Sequence, residues 1–263
     1  MVNGLFDGLQ SRASRSSQIL EATYRLSQRT WDICALSAVD TQRMRSGTAA
    51  SDPVAVQGGN VLRLESAVAG PKFTALISES GSNPVRSDFG GSDGERVLHF
   101  TDDTLHQNTA SNLATTSLYG FAIFGATRTT GTPRVLRMFD TTGATEQIAL
   151  QMPSTGVIDF WSTAVAVTGL TMPSTEQLFV MEFGIRPGEN RVTTHFAGGT
   201  DSRTGGGVYS DNIAQLRLGA NAPSTSMSPN LRFRALFLSS TRPTDAAVLA
   251  ENLAWAKILA NVP

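Results

Sequence analysis

The sequence predicts an all-β fold, an antiparallel β-sandwich with helical segments before and after it. Three observations carry this. Hydrophobic residues make up 40% and charged residues only 16% of the 263 positions, with abundant Gly, Ser and Thr, a mixture suited to short strands joined by polar turns. Beyond Gly90 a period-two pattern recurs in segment after segment. Turn chemistry rather than helices separates these segments, so neighbours must pair antiparallel.

The first element differs in period. Between Gly8 and Met44 there is neither Pro nor Gly, and Leu9, Ile19, Leu20, Tyr24, Leu26, Trp31, Ile33, Cys34 and Leu36 recur at spacings of three and four. This predicts one long helix or two. Either it lies on its own sandwich, or it is a docking and oligomerisation arm whose assembly residues are Ile19, Leu20, Tyr24, Trp31 and Ile33. Cys34, the only cysteine, excludes an intrachain disulfide and is expected as a packed apolar residue of that helix. Ser46 to Asn60 reads as a connector, which divides the chain into an arm and connector at 1–58 and a sandwich at 59–263.

Strands are predicted at Val61–Glu65, Phe73–Ser78, Arg96–Thr101, Tyr119–Arg128, Arg134–Asp140, Gln147–Met152, Val157–Val167, Gln177–Ile185, Arg191–Ala197, Ile213–Leu218 and Leu231–Ser239. Thr130-Gly131-Thr132-Pro133, Thr142-Gly143, Pro153-Ser154-Thr155-Gly156 and Arg186-Pro187-Gly188-Glu189-Asn190 supply the reversals between them. After Pro243, Thr244 is placed to cap a last helix with Val248, Leu249, Asn252, Leu253, Ala256 and Leu259 on one face.

These segments carry a family resemblance. Asn83-Pro84-Val85, Gly91-Ser92-Asp93-Gly94 and Val97 to Asp103 resemble the opening of concanavalin A-like (laminin G-like) domains of the kind found in phage structural proteins. Tyr119 to Thr127, Leu216 to Ala220 and the stretch from Leu231 through Arg242-Pro243-Thr244 to Lys257 resemble later strands and the closing helix of that family. The resemblance spans about Asn83 to Val262 and implies a concanavalin A-like jelly roll.

A net charge of −1 leaves no basic excess to neutralise a phosphate backbone, so nucleic acid is not an expected partner. Neither a signal peptide nor a stretch of roughly 20 apolar residues is seen, which predicts no membrane insertion and synthesis in the cytoplasm of a host. Glycoside hydrolysis needs two carboxylates in close reach. Glu182 and Asp159 are each alone on their strands, where a solvent-facing position explains them, and no catalytic residue is assigned. His99, His106 and His195 stand at no metal-ligand spacing, and Gly205-Gly206-Gly207 lacks the Lys-Ser/Thr of a phosphate loop. No cofactor is expected. Because laminin G-like domains often bind Ca2+, Asp102, Asp103, Asp140, Asp201 and Asp211 are oxygen-ligand candidates, with turn formation the alternative.

For sugar binding, Trp161 on a strand and Tyr209 in the loop Thr200 to Asp211 offer aromatic faces, the former with a core role as its alternative. The loop adds Arg203, Asp201 and Asp211, so the expected carbohydrate site is Tyr209, Arg203, Asp201 and Asp211. The functional expectation is a non-enzymatic virion protein (head decoration, head fibre or tail appendage) whose partners are other virion proteins or copies of itself. A module binding a host-surface glycan is the alternative, and a glycoside hydrolase comes third.

Overall fold

The computed structural model describes residues 14–68, 70–78, 85–88, 96–100, 104–128, 131–219 and 230–263. They form the expected antiparallel β-sandwich, with helix α1 (Arg15–Ser27) before the sheets and α2 (Ala246–Ala260) after them. Both helices lie on the outer face of one sheet.

Among the described residues each sheet has nine strands. The first runs β16 (Gly199–Thr204), β15 (Glu189–Phe196), β14 (Phe179–Arg186), β9 (Leu118–Thr127), β18 (Asn230–Ser239), β7 (Val97–Phe100), β6 (Val85–Asp88), β3 (Asn60–Val61). The second runs β13 (Ala166–Thr171), β12 (Val157–Ser162), β11 (Glu146–Ser154), β10 (Arg134–Phe139), β17 (Asp211–Gly219), β8 (Thr104–Thr115), β5 (Ala75–Ser78), β4 (Arg63–Glu65), β2 (Met44–Arg45). The ninth strand of the first sheet, β1 (Cys34–Ser37), shares one edge of β18 with β7. Leu231 to Phe233 pair with β7, and Ala235 to Leu238 pair with β1. A bulge at Arg234 separates the two halves.

Residues 31–39 correct the helical expectation. Cys34, Leu36 and Ala38 face the core between the sheets, whereas Trp31, Ala35 and Val39 face the helices. Because both faces of this strand are covered, period two leaves no polar alternation to read, and a buried strand resembles a buried helix. Cys34 is buried as expected, but in a strand. The part of the helical expectation at residues 8–13 lies outside the described residues.

The boundary at 58/59 does not hold either. β1 lies in the first sheet and β2 pairs with β4 in the second, so the chain before residue 59 belongs to both layers of the sandwich. Three further differences follow from local chemistry. Val157–Val167 is a hairpin, closed where the Ser162 N–H donates to the Val165 carbonyl at 2.7 Å. Thr200–Thr204 is strand, not loop; its polar residues on an edge carry no alternation. The last helix is capped by Asp245, whose carboxylate accepts from the Ala247 N–H at 2.8 Å, one residue after the expected Thr244.

The inter-sheet core holds Phe124, Phe179, Phe183, Phe160, Leu150 and Leu216, with Phe124 and Phe179 centroids 4.6 Å apart. A second core fills the space under the helices. Ile19, Ala22 and Leu26 of α1 and Ala256 and Leu259 of α2 close on Tyr119, Phe121 and Phe237, with Trp31 between. Trp31 stacks on Tyr119 at 5.8 Å and donates its indole N–H to the Leu26 carbonyl at 2.7 Å. Each such large side chain contributes about 1.5–3 kcal/mol on burial. Central strand β9 therefore alternates between two cores rather than between core and water.

Candidate functional site

The four residues expected to bind carbohydrate do not form one site. Asp201 and Arg203 lie on edge strand β16. The Asp201 carboxylate accepts from the Thr171 N–H and hydroxyl, each at 2.9 Å, and from the Arg203 guanidinium at 3.2 Å. Partial burial opposes ionisation, but the Thr171 and Arg203 bonds prevail and hold the Asp201 carboxyl below its ordinary value. Since Thr171 ends β13 of the other sheet, Asp201 fastens the flanking edges of the sandwich together.

Tyr209 is 1% exposed and belongs to the inter-sheet core, so its ring offers no face to a sugar. Shortly before Tyr209 the chain passes close to the backbone of β13; a Cβ at Gly205 would stand 2.6 Å from the Ala166 carbonyl oxygen. Burial and the neighbouring Asp211 push the Tyr209 phenol well above its usual range. Asp211 is likewise buried, which raises its carboxyl despite hydrogen bonds that include the Thr163 hydroxyl. Tyr209 and Asp211 are structural residues.

The other acidic candidates are also engaged. Asp159, expected to face solvent, is buried and accepts from the Gly169 N–H at 2.7 Å. Glu182 lies on the helix-covered side of β14, 3.1 Å from His195 Nε2, and His195 Nδ1 is 3.3 Å from the Thr200 hydroxyl. This carboxylate–imidazole–hydroxyl line crosses β14, β15 and β16 and ties the edge strands of the first sheet. Of the Ca2+ candidates, Asp102 and Asp103 lie outside the described residues, as does the His106 side chain. Asp140 closes its own turn by accepting from the Thr142 N–H and hydroxyl, at 3.0 and 2.6 Å. Among the described residues no three His, Cys, Asp or Glu side chains gather to hold a metal ion.

Two surfaces among the described residues present large apolar or aromatic side chains outward. The five arm residues divide: Ile19, Trp31 and Ile33 are buried in the chain's own cores, correcting their assignment to assembly, whereas Leu20 is 45% and Tyr24 58% exposed. Four residues apart on α1, they share one face. That face borders a groove of about 320 Å³ lined also by Ala67 and Arg96.

The second surface is the outer face of the second sheet. Ile158 and Phe160 of β12 point into the core, which sends Asp159 and Trp161 to the opposite side. Trp161 is half-buried there, outside both cores. Register places Trp161, Ala149, Arg137 and Arg217 in one row across β12, β11, β10 and β17. The Arg137 and Arg217 guanidiniums lie over the Phe139 ring, at 4.7 and 4.8 Å from its centroid. Sequence reasoning noticed Trp161 but not the row, because the row exists only through register.

Among comparisons with known proteins, no family model and no curated protein matches this chain. A solved structure, the alginate lyase from Alteromonas sp. 272, aligns at 11% identity with a TM-score of 0.28, covering 54% of this chain. The alignment spans 61% of that lyase. No helix among the described residues is long and apolar enough to cross a membrane.

Proposed function

We propose that this chain is a non-enzymatic structural protein of a virion, a head decoration, head fibre or tail appendage, which displays its sandwich and docks onto another protein subunit through the outer face of α1. The observation that carries the reading is the Leu20 and Tyr24 pair, two large apolar side chains left in water beside a groove while the rest of the apolar face of α1 is buried. The resemblance of residues 83–262 to phage concanavalin A-like domains supports the setting. The acidic candidates Glu182, Asp159, Asp201 and Asp211 each hold structural hydrogen bonds, which favours a scaffold over a hydrolase. A Leu20→Glu, Tyr24→Glu variant should keep the parent circular dichroism and melting temperature, yet be missing from particles purified from cells that make it with its native partners. Normal incorporation of that variant would refute docking through α1.

A second reading, a module that binds a cell-surface glycan, draws on the row on the second sheet. Trp161 offers a half-buried ring to stack on a sugar, and Arg137 lies two strands away, about 10 Å at the usual strand spacing. On a glycan array, Trp161→Ala should abolish binding shown by the parent, whereas Tyr209→Phe should not alter it. No binding by the parent leaves the structural reading alone.

A further inference from the structure

We infer that β16 is a self-association edge, on which the same strand of a second copy of this chain pairs antiparallel about a twofold axis at Ser202. β16 ends the first sheet and is bound to β15 on one side only. The Gly205 N–H donates to the Asn190 carbonyl at 2.8 Å, and the bonds of an antiparallel ladder fall on alternate residues. Arg203 and Asp201 therefore bond toward β15 like Gly205, whereas the N–H and C=O groups of Thr200, Ser202 and Thr204 point away from it. Among the described residues no backbone bond meets these outward groups. The usual devices that blunt an exposed edge are missing too: β16 has neither Pro nor Lys and pairs with β15 without a bulge.

Side-chain order selects the occupant. Thr200-Asp201-Ser202-Arg203-Thr204 runs Thr, charge, Ser, charge, Thr from either end, with the sign of the charge inverted. Laid antiparallel on itself about Ser202, the segment sets Ser202 opposite Ser202, Thr200 opposite Thr204 and Asp201 opposite Arg203 of the second copy. The outward groups of the three hydroxyl residues then meet in hydrogen-bonded pairs, each exchanging two bonds. Both Asp–Arg pairs fall at the intervening positions, where opposed side chains stand closest. Asp201 is placed for this contact, because its bonds to Thr171 and Arg203 all end on Oδ2 and its Oδ1 accepts none. The Arg203 side chain is 48% exposed. Sliding the second copy by two residues would set Asp201 against Asp201 in one direction and Arg203 against Arg203 in the other, so charge fixes the register. Gly199 and Gly205 flank the segment and meet each other in that register, which leaves no side chain to obstruct its ends. A foreign strand could use the same backbone groups, but the inverted charges match a copy of this one.

The test is sedimentation velocity of the full chain over roughly 5 to 500 µM, a range suited to the weak dimer that a short edge contact makes. Expected is a concentration-dependent shift of the parent from monomer to dimer. Ser202→Pro removes an N–H that bonds nothing in the monomer, so it should unfold near the parental Tm yet weaken the dimer at least about tenfold. Asp201→Arg and Arg203→Asp should each be monomeric alone and associate when mixed, because only the mixture sets opposite charges across the axis. A parent that stays monomeric over the whole range overturns the inference and leaves the edge to a strand of another protein. It is overturned equally if Ser202→Pro dimerises like the parent, or if the mixed variants associate no more than either alone. Should Asp201→Arg not fold for want of its tie to Thr171, Ser202→Pro and Arg203→Asp decide the matter. The Leu20→Glu, Tyr24→Glu variant should dimerise like the parent, which keeps this edge distinct from docking through α1; loss of the dimer in that variant would assign the contact to α1 instead.

Discussion

Asp211 and Asp201 show how one residue type does opposite electrostatic work at two ends of a short segment. Burial raises the Asp211 carboxyl, so the folded chain holds that proton to a higher pH than the unfolded chain, whose aspartates titrate near about 3.9. Stability from this group is therefore greatest below that value and falls as pH rises through the raised native one. Asp201 has the reverse sign: its lowered carboxyl stabilises above the unfolded value, and that contribution is lost as pH falls through the native one. In urea titrations an Asp211→Asn variant should gain on the parent as pH rises from about 4. A difference between the two that does not change with pH would show that the buried carboxylate is not penalised. Cys34 gives a second residue-scale expectation, because complete burial drives its thiol far above the ordinary range. A maleimide should leave the native chain unlabelled and modify one thiol in guanidinium chloride.

At the scale of elements, β9 and β18 are the axis of the molecule, each buried by the second sheet on one side and by the helices on the other. Their close approach depends on Gly120, which sits at φ +144°, where a Cβ would lie 1.9 Å from the Phe237 carbonyl oxygen. Gly120→Ala should cost about 3 kcal/mol or more, seen as a fall in Tm of roughly 6–12 °C for a chain of this size. An unchanged Tm would mean that the two strands can separate without penalty. The elements legible in sequence were those with one wet face or a bounded apolar run, such as β7, β10, β14 and β15. β1 was not legible because both its faces are apolar, and β16 because both its faces are polar; neither shows alternation.

For the whole molecule, β1 and β2 bind the first part of the chain into both sheets, and α1 and α2 lie antiparallel over the first. Arg29 joins the helices through Glu251 at 2.5 Å and Asn252 at 3.1 Å, and Asn252 donates to the Tyr119 hydroxyl at 3.1 Å. A protease cut between Ser46 and Asn60 should therefore leave two fragments that co-elute on gel filtration and separate only in denaturant, with one cooperative unfolding transition before cutting. Dissociation of the fragments in native buffer would restore the arm as an independent unit.

The sequence by itself determined that this is an antiparallel β protein with a helix toward each end, because period, turn residues and caps are local properties written in neighbouring positions. The order of strands in the two sheets, the burial of Tyr209 and Asp211, and the place of Cys34 in a strand were decided by tertiary structure alone. Each depends on which distant segments meet. Periodicity says that a residue has an inside and an outside face, but only register and the covering helices decide what stands on either side.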